Sequence, residues 1–303
     1  MKKFDIYVPA STTNLGPGFD VLGIALDIYN IFEVETGGTG IEIKVAGEGE
    51  GILPCDEKNL FIKAMKMAFD ALGEPMPGIK LLQKNTIPLN RGLGSSASAA
   101  LGGLLAAREI LGKKLSGAIM TELAVELEGH PDNIIAAWKG GAVINYVENG
   151  QNRHIKMIPP DNPDVVVLIP PFPVETKKAR EILPDTYSKK DVVENLRNVS
   201  LLVFALTTGD YRLLSAGCRD TVHQPYRAKL IPGLYEVIDA AVEAGAYGSY
   251  LSGSGSTIAA FCSGNSETVA SAMQRIMLDK GVETKTIITK ISETGSYIKK
   301  KME

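Results

Sequence analysis

The segment Pro88-Leu89-Asn90-Arg91-Gly92-Leu93-Gly94-Ser95-Ser96-Ala97-Ser98 has the composition of a phosphate cradle. Glycine accepts positive φ, which lets successive backbone N–H groups converge on one point. A helix opening at the serines adds free N–H donors and the positive end of its dipole, so a polyanion such as a nucleotide's phosphates is favoured there. Ser95 or Ser96 could add a hydroxyl ligand for Mg²⁺. No Lys follows the second glycine in the register of the common P-loop. Gly92-x-Gly94-x-x-Ala97 loosely matches a dinucleotide fingerprint, but a second helix follows instead of a strand ending in an acidic residue. Gly94-x-Ser96-x-Ser98 resembles a nucleophile elbow without its last glycine, with His130, His154 and His223 in no telling context. A helix start built of small residues and packed closely on a sheet has the same composition and binds nothing.

Other polar groups recur along the chain. Pro9 to Asp20 reads as a long turn held by Asn and Asp, or as a pocket wall presenting Asn14 and Asp20. Glu122, Glu126 and Glu128 lie on a helix, with Glu122 and Glu126 sharing a face. Such glutamates usually make a solvated face. The sharper reading pairs Glu122 with a serine hydroxyl on Mg²⁺, which takes few protein oxygens besides phosphates and water. A lone His130 is more often structural than catalytic. Arg180 and Arg227 each close a polar run, and a guanidinium fork matches a carboxylate or phosphate, although a single arginine is more often a surface residue.

The elements that position these groups follow from periodicity. Strands are predicted at 4–8, 22–26, 31–36, 41–45, 79–83 and 142–146, and helices at 59–72, from the serines to Leu111, and from Ser116 to Glu128. Polar residues gather at 148–153, which places a domain boundary there, with residues 1–152 and 153–303 as the two units. Beyond it, strands are predicted at 165–169, 247–251, 258–262 and 284–288, with helices at 189–214, 231–244 and 267–279. The class is α+β in both halves.

The 303 residues suffice for two domains with their own cores. A net charge of -3 without a basic run does not suggest a nucleic-acid partner. Cys55, Cys218 and Cys262 are scattered and form no CxxC pair, which argues against zinc or a disulfide framework. The N-terminal residues lack the apolar core of a signal peptide, and the longest apolar stretch, 99–107, is too short to span a bilayer. A cytoplasmic protein without a membrane partner is expected.

Three motifs in order resemble the GHMP kinase superfamily: the Pro9 to Asp20 loop, Pro88-xxx-Gly92-Leu93-Gly94-Ser95-Ser96-Ala97, and Leu251-Ser252-Gly253-Ser254-Gly255-Ser256. Within it, 10–20, Glu128-Gly129-His130-Pro131-Asp132-Asn133, 176–180 and 223–227 look most like its homoserine kinase branch. The resemblance implies an S5-like N-terminal domain, a ferredoxin-like C-terminal domain and an active site between them. It implies ATP and Mg²⁺ as cofactors, L-homoserine as small-molecule substrate and a homodimer. Ser96 and Glu122 would hold the metal, Gly92 to Ser98 would wrap the phosphates, with Pro88, Asn90 and Arg91 leading into that loop, and Asn59 would lie near the adenine. Arg180 and Arg227 would grip a carboxylate, Asp20 would meet an ammonium, and Asn14, His130, Thr176 and Gly253 would line the same pocket. Asn133 would stand beside the attacking hydroxyl, with Asp132 an open alternative for that place. Competing expectations are another GHMP kinase acting on shikimate or an isoprenoid alcohol, a serine hydrolase built on Ser96, and a non-catalytic nucleotide-binding regulator.

Overall fold

Alternation of apolar and polar residues sets up β1 (Lys3–Thr13), which pairs antiparallel with β2 (Leu22–Thr36) in a computed structural model that describes residues 2–301. Where the sequence predicts two strands, at 22–26 and 31–36, β2 runs unbroken. The register shifts between Pro9 and Ala10, which leaves Asp27 and Ile28 unpaired as a bulge. The neighbouring Asn30 side chain accepts hydrogen bonds from Thr86 N (2.9 Å) and Ile87 N (3.1 Å). The Asn30 side chain thus holds the segment at Thr86 and Ile87 against β2 and marks no turn.

β3 (Ile41–Gly47) runs parallel to β4 (Ile79–Asn85), with α1 (Leu60–Asp70) as the crossover. α2 (Ser95–Leu111), α3 (Gly117–Glu128) and α4 (Pro131–Lys139) follow, and β5 (Ala142–Glu148) returns to β2. α4 is absent from the sequence prediction, although Pro131 at its first turn and Gly140 at its end are ordinary helix signals. The four helices and the sheet enclose a core that includes Phe4, Phe32, Phe61, Leu101 and Ile134.

The boundary expected at 152/153 falls inside a strand and is corrected. β6 (Gln151–Met157) pairs with β5 along its whole length, so the N-terminal unit continues to Met157. Asn149 and Gly150 both have positive φ, the conformation a two-residue hairpin turn needs. The polar character of β6 reflects its exposed edge, not a linker.

The second domain contains β7 (Asp164–Ile169), α5 (Thr176–Glu181), α6 (Lys189–Thr208), α7 (Leu214–Gly217), α8 (Gln224–Arg227), α9 (Leu234–Glu243), β8 (Gly248–Leu251), β9 (Ile258–Cys262), α10 (Ser266–Asp279) and β10 (Lys285–Lys290). Its sheet is antiparallel in the order β10-β7-β9-β8, with first and third strands central, as a ferredoxin-like domain requires. α6 stops at Gly209, in the left-handed region, and not at 214. The chain then re-enters the first domain: β11 (Tyr297–Lys300) pairs with β1, and Tyr297 stacks on Tyr7 at 4.6 Å. The 153–303 unit is thus also interrupted at its far end. No helix among the described residues is long and apolar enough to cross a membrane.

The domains do not merely abut. Leu15, Leu22 and Leu93 of the first pack in one cluster with Leu202, Leu206 and Tyr250 of the second. Burial of that shared apolar surface fixes the spacing of whatever lies between the domains.

Close packing of α1 on α2 depends on Gly103, where a Cβ would fall on the Phe61 carbonyl oxygen. Gly103→Ala is expected to lower stability by about 1–3 kcal/mol, as overpacking does. At Gly117 the nearest atom to a new Cβ is Trp138 Cη2 at 3.8 Å. Gly117→Ala is expected to be neutral or slightly stabilising. Denaturant midpoints of both variants check this; equal midpoints would contradict the packing argument.

Candidate active site

A cleft of about 480 Å³ lies between the domains, and the N-terminus of α2 opens into it. Gly92 and Gly94 have φ of 76° and 69°. A Cβ on Gly92 would fall on the Ser252 carbonyl oxygen, and one on Gly94 on Ser11 Oγ. Both glycines are therefore required by conformation and by contact. Gly94 is the helix N-cap and supplies no side chain, so the first-turn N–H groups of this 17-residue helix remain available to an anion. Leu93, Gly94, Ser95 and Ser96 line the cleft, as do Asn90 and Arg91.

Parts of the expected loop face elsewhere. Pro88 is buried and absent from the lining, Ala97 sits in the N-terminal core, and Ser98 is fully buried with its hydroxyl unpartnered. They are corrected to scaffold positions: Pro88 packs inside before the loop begins, and the first turn of α2 carries the Ala97 and Ser98 side chains away from the cleft. Arg91 also departs from the expectation. Its guanidinium donates to the carbonyls of Leu89 (3.0 Å), Pro170 (3.0 Å) and Pro171 (2.6 Å), tying the loop to the end of β7. Asn59 lines the far end of the cleft with Leu53, Pro54 and Leu89. Its side chain caps α1 by accepting from Phe61 N (3.0 Å) and donates to Pro54 O (2.9 Å) and Gln83 Oε1 (3.2 Å). It is therefore largely committed to the fold.

The metal assignment changes more. Glu122 is exposed and accepts from Asn152 Nδ2 at 3.1 Å, on the β6 side of α3. Glu128 is the carboxylate that meets Ser96, whose Oγ donates to Glu128 Oε2 at 3.0 Å. Six residues along an α-helix turn a side chain by about 120°, so the two glutamates cannot serve one site. Burial, with a smaller push from Asp132, raises the Glu128 carboxyl to about 7. A half-buried carboxylate beside a hydroxyl at an uncapped helix start is a donor set that suits Mg²⁺. No group of three or more His, Cys, Asp or Glu placed to hold a metal ion exists among the described residues, so a cation here would also rely on phosphate and water. Ser96 has no histidine partner, which removes the geometry of a serine hydrolase.

Across the cleft, the expected acceptor residues converge. Asp20 and Arg180 form a two-bond ion pair at 2.8 and 3.0 Å, and His130 Nδ1 lies 3.8 Å from Asp20. Arg227 is 2% exposed and is held by Ala179 O and Gly253 O, each at 3.0 Å. Burial, then the charge of Arg180, lowers its pKa to about 10, still well above neutrality. Asn14 Nδ2 donates to Gly253 O (3.0 Å) while its Oδ1 accepts from Asp20 N (3.0 Å). Thr176 Oγ1 lies 3.4 Å from Ser254 Oγ at the start of α5. The ring centroid of Phe19, a residue not singled out in the sequence, lies 5.5 and 5.2 Å from the Arg180 and Arg227 Cζ atoms, within cation–π range.

Between donor and acceptor ends stand Asp132 and Asn133. Asn133 Oδ1 accepts from Ser11 Oγ at 2.9 Å, and its Nδ2 approaches Thr13 Oγ1 at 3.5 Å. Asp132 is 3% exposed, and its Oδ1 accepts from Asn133 N at 2.9 Å. Burial, then the charge of Asp20, holds the Asp132 carboxyl above the usual range. Ser11 and Thr13 complete this network and carry no sequence signal beyond their place in the Pro9 to Asp20 loop.

The chain matches the models of the GHMP kinases N terminal domain at residues 59–141 and the GHMP kinases C terminal domain at 202–280. It is 41% identical to a homoserine kinase of Carboxydothermus hydrogenoformans, covering 96% of this chain and 95% of that one. It is 39% identical to a homoserine kinase of Clostridium beijerinckii, with 97% of each chain covered. The crystal structure of homoserine kinase from Cytophaga hutchinsonii superposes with a TM-score of 0.89 at 29% identity, over 99% of this chain and 98% of that chain. Identity of this level along nearly the whole chain and the shared two-domain fold lead to one conclusion: the chain belongs to the homoserine kinase family of the GHMP kinase superfamily.

Proposed function

We propose that this protein transfers the γ-phosphoryl group of ATP to the side-chain hydroxyl of L-homoserine, giving O-phospho-L-homoserine and ADP in the cytoplasmic synthesis of threonine. The observation that carries the reading is the presence of Asp20, Arg180 and Arg227 in the same cleft as the open N-terminus of α2. An amino acid needs opposite charges a few ångströms apart, and a nucleotide needs converging donors. This cleft supplies both. The names of the relatives support the choice of acceptor.

Leu53, Pro54 and Leu89 would receive the adenine, and Gly92 to Ser96 would hold the phosphates; these residues line one cleft. Mg²⁺ would be held by Ser96 and Glu128 and would neutralise charge on the phosphates. The substrate ammonium meets Asp20, and its carboxylate meets Arg180 and Arg227. Asp20 and Arg180 already satisfy one another, so binding exchanges one ion pair for two without leaving a buried charge alone. The hydroxyl is directed to the Ser11–Thr13–Asn133 network. An amide orients a hydroxyl but takes no proton. In a loose transition state proton departure is late, to the transferred group or to solvent, and positioning and charge supply the rate.

Coupled ADP release with L-homoserine, L-serine, shikimate, mevalonate and galactose should respond best to L-homoserine. A stronger response to another alcohol would remove the substrate assignment and leave the kinase standing. Arg180→Ala should raise the homoserine KM by about tenfold to a hundredfold, the worth of charge-assisted hydrogen bonds, with the ATP KM unchanged. Unchanged homoserine kinetics would rule out the clamp. Glu128→Gln should raise the Mg²⁺ requirement by about tenfold or more, while Glu122→Gln stays within about twofold of the parent. The reverse order in a magnesium titration would restore Glu122.

A further inference from the structure

His223 is fully buried, does not line the cleft, and has no part in the transfer itself. Its hydrogen bonds are nevertheless specific. Nε2 lies 2.8 Å from Gly16 O, and a carbonyl only accepts, so Nε2 carries the proton. Nδ1 then presents a lone pair, 3.3 Å from Arg227 Nη1, which only donates. Both partners are satisfied by the neutral ring. Burial, partly opposed by Asp220, pushes the imidazole pKa down to about 4 and keeps it neutral. The ring is fixed from behind as well. Asp220 accepts from the backbone N–H groups of Val222 (3.0 Å), His223 (2.8 Å) and Gln224 (2.6 Å), and Phe19 stacks on the imidazole at 5.2 Å.

The consequence lies at Arg227. Nη1 has two hydrogens, one directed to Gly253 O and one to His223 Nδ1, while Nε is taken by Ala179 O. The remaining terminal nitrogen, Nη2, is left to the cleft that Arg227 lines. On its other edge, the same ring holds Gly16 in the loop that presents Asn14 and Asp20.

The geometry points to His223 as a positioning residue that holds Arg227 with Nη2 left for the substrate carboxylate, and so sets the preference for an α-amino acid. This rests on the acceptor proposed above. It goes further by assigning that preference to a residue that never touches the substrate. A protonated ring could not do this, because it would turn a second donor toward a guanidinium.

Two variants separate the two edges of the ring. Asn places its amide oxygen near the position of Nδ1 and keeps an acceptor for Arg227. Gln places its amide near Nε2 and keeps a donor for Gly16 while losing that acceptor. Steady-state kinetics are measured with L-homoserine and with 3-amino-1-propanol, which is homoserine without its carboxylate, alongside thermal unfolding. His223→Gln is expected to raise the homoserine KM by about tenfold, the effect of one lost charged hydrogen bond, with kcat and the ATP KM unchanged and kcat/KM for 3-amino-1-propanol unaltered. His223→Asn is expected to keep a homoserine KM within about threefold of the parent, the lost Gly16 bond being neutral and weaker. The assignment is overturned if His223→Gln leaves the homoserine KM unchanged. It is equally overturned if both variants depress both acceptors in proportion to lost thermal stability. A parent enzyme that does not phosphorylate homoserine is a separate outcome, which overturns the acceptor reading and this inference with it.

Discussion

The carbonyl oxygen of Gly253 is the point on which the rest of the cleft depends. It accepts one hydrogen bond from Asn14 Nδ2 and one from Arg227 Nη1, each 3.0 Å long, and so uses both lone pairs. The N–H of the same residue donates to Thr13 O at 3.1 Å. Beside it, Ser252 Oγ donates to Gly92 O at 2.6 Å, and the absence of a side chain at Gly92 lets the phosphate loop lie directly on this turn. Three segments far apart in sequence thus meet on one short turn: the acceptor loop, the phosphate loop and the helix carrying Arg227. Because Leu93 and Tyr250 belong to the core shared by the two domains, burial of apolar surface holds that junction closed.

Charge follows from this placement. Glu128, Asp132 and Arg227 are all drawn away from their ordinary pKa, with burial the leading cause in each. Groups pulled from water without full compensation are costly for the fold and useful to a ligand that supplies the missing charge. A divalent cation would do this at Glu128 and an amino-acid carboxylate at Arg227. The Asp20–Arg180 pair differs, since each group neutralises the other, and a ligand carrying both signs would replace that pairing.

The sequence reveals whatever depends on local conformation. The phosphate loop is legible because glycine at 92 and 94 is demanded by positive φ, and most strands and helices follow their periodicity. Side-chain direction is less accessible. Glu122 and Glu128 lie on one predicted helix, and only their angular separation, fixed once Ser96 has a position, decides between them. The nearness of Glu128 to His130, Asp132 and Asn133 was the available clue. Asn59 and Arg91 occupy expected places while bonding mainly to the protein, because capping and carbonyl tethers involve partners that sequence spacing does not identify. The Asn149-Gly150 turn was readable, yet the polar edge strand after it imitates a linker. His223 could not be assigned from sequence, because its role arises from two partners, Gly16 and Arg227, that only the fold brings to its ring.

In the proposed reaction a phosphoryl group would pass from the loop at Gly92 to an alcohol held by Asp20, Arg180 and Arg227. The most direct measurement is ³¹P NMR of the reaction mixture with ATP, Mg²⁺ and L-homoserine. The account predicts a new phosphomonoester resonance, split into a triplet by the two protons of the substrate's terminal methylene group, growing at the rate at which ADP appears. Inorganic phosphate as the sole new phosphorus product beside ADP, or an acyl phosphate at the substrate carboxylate, would contradict it.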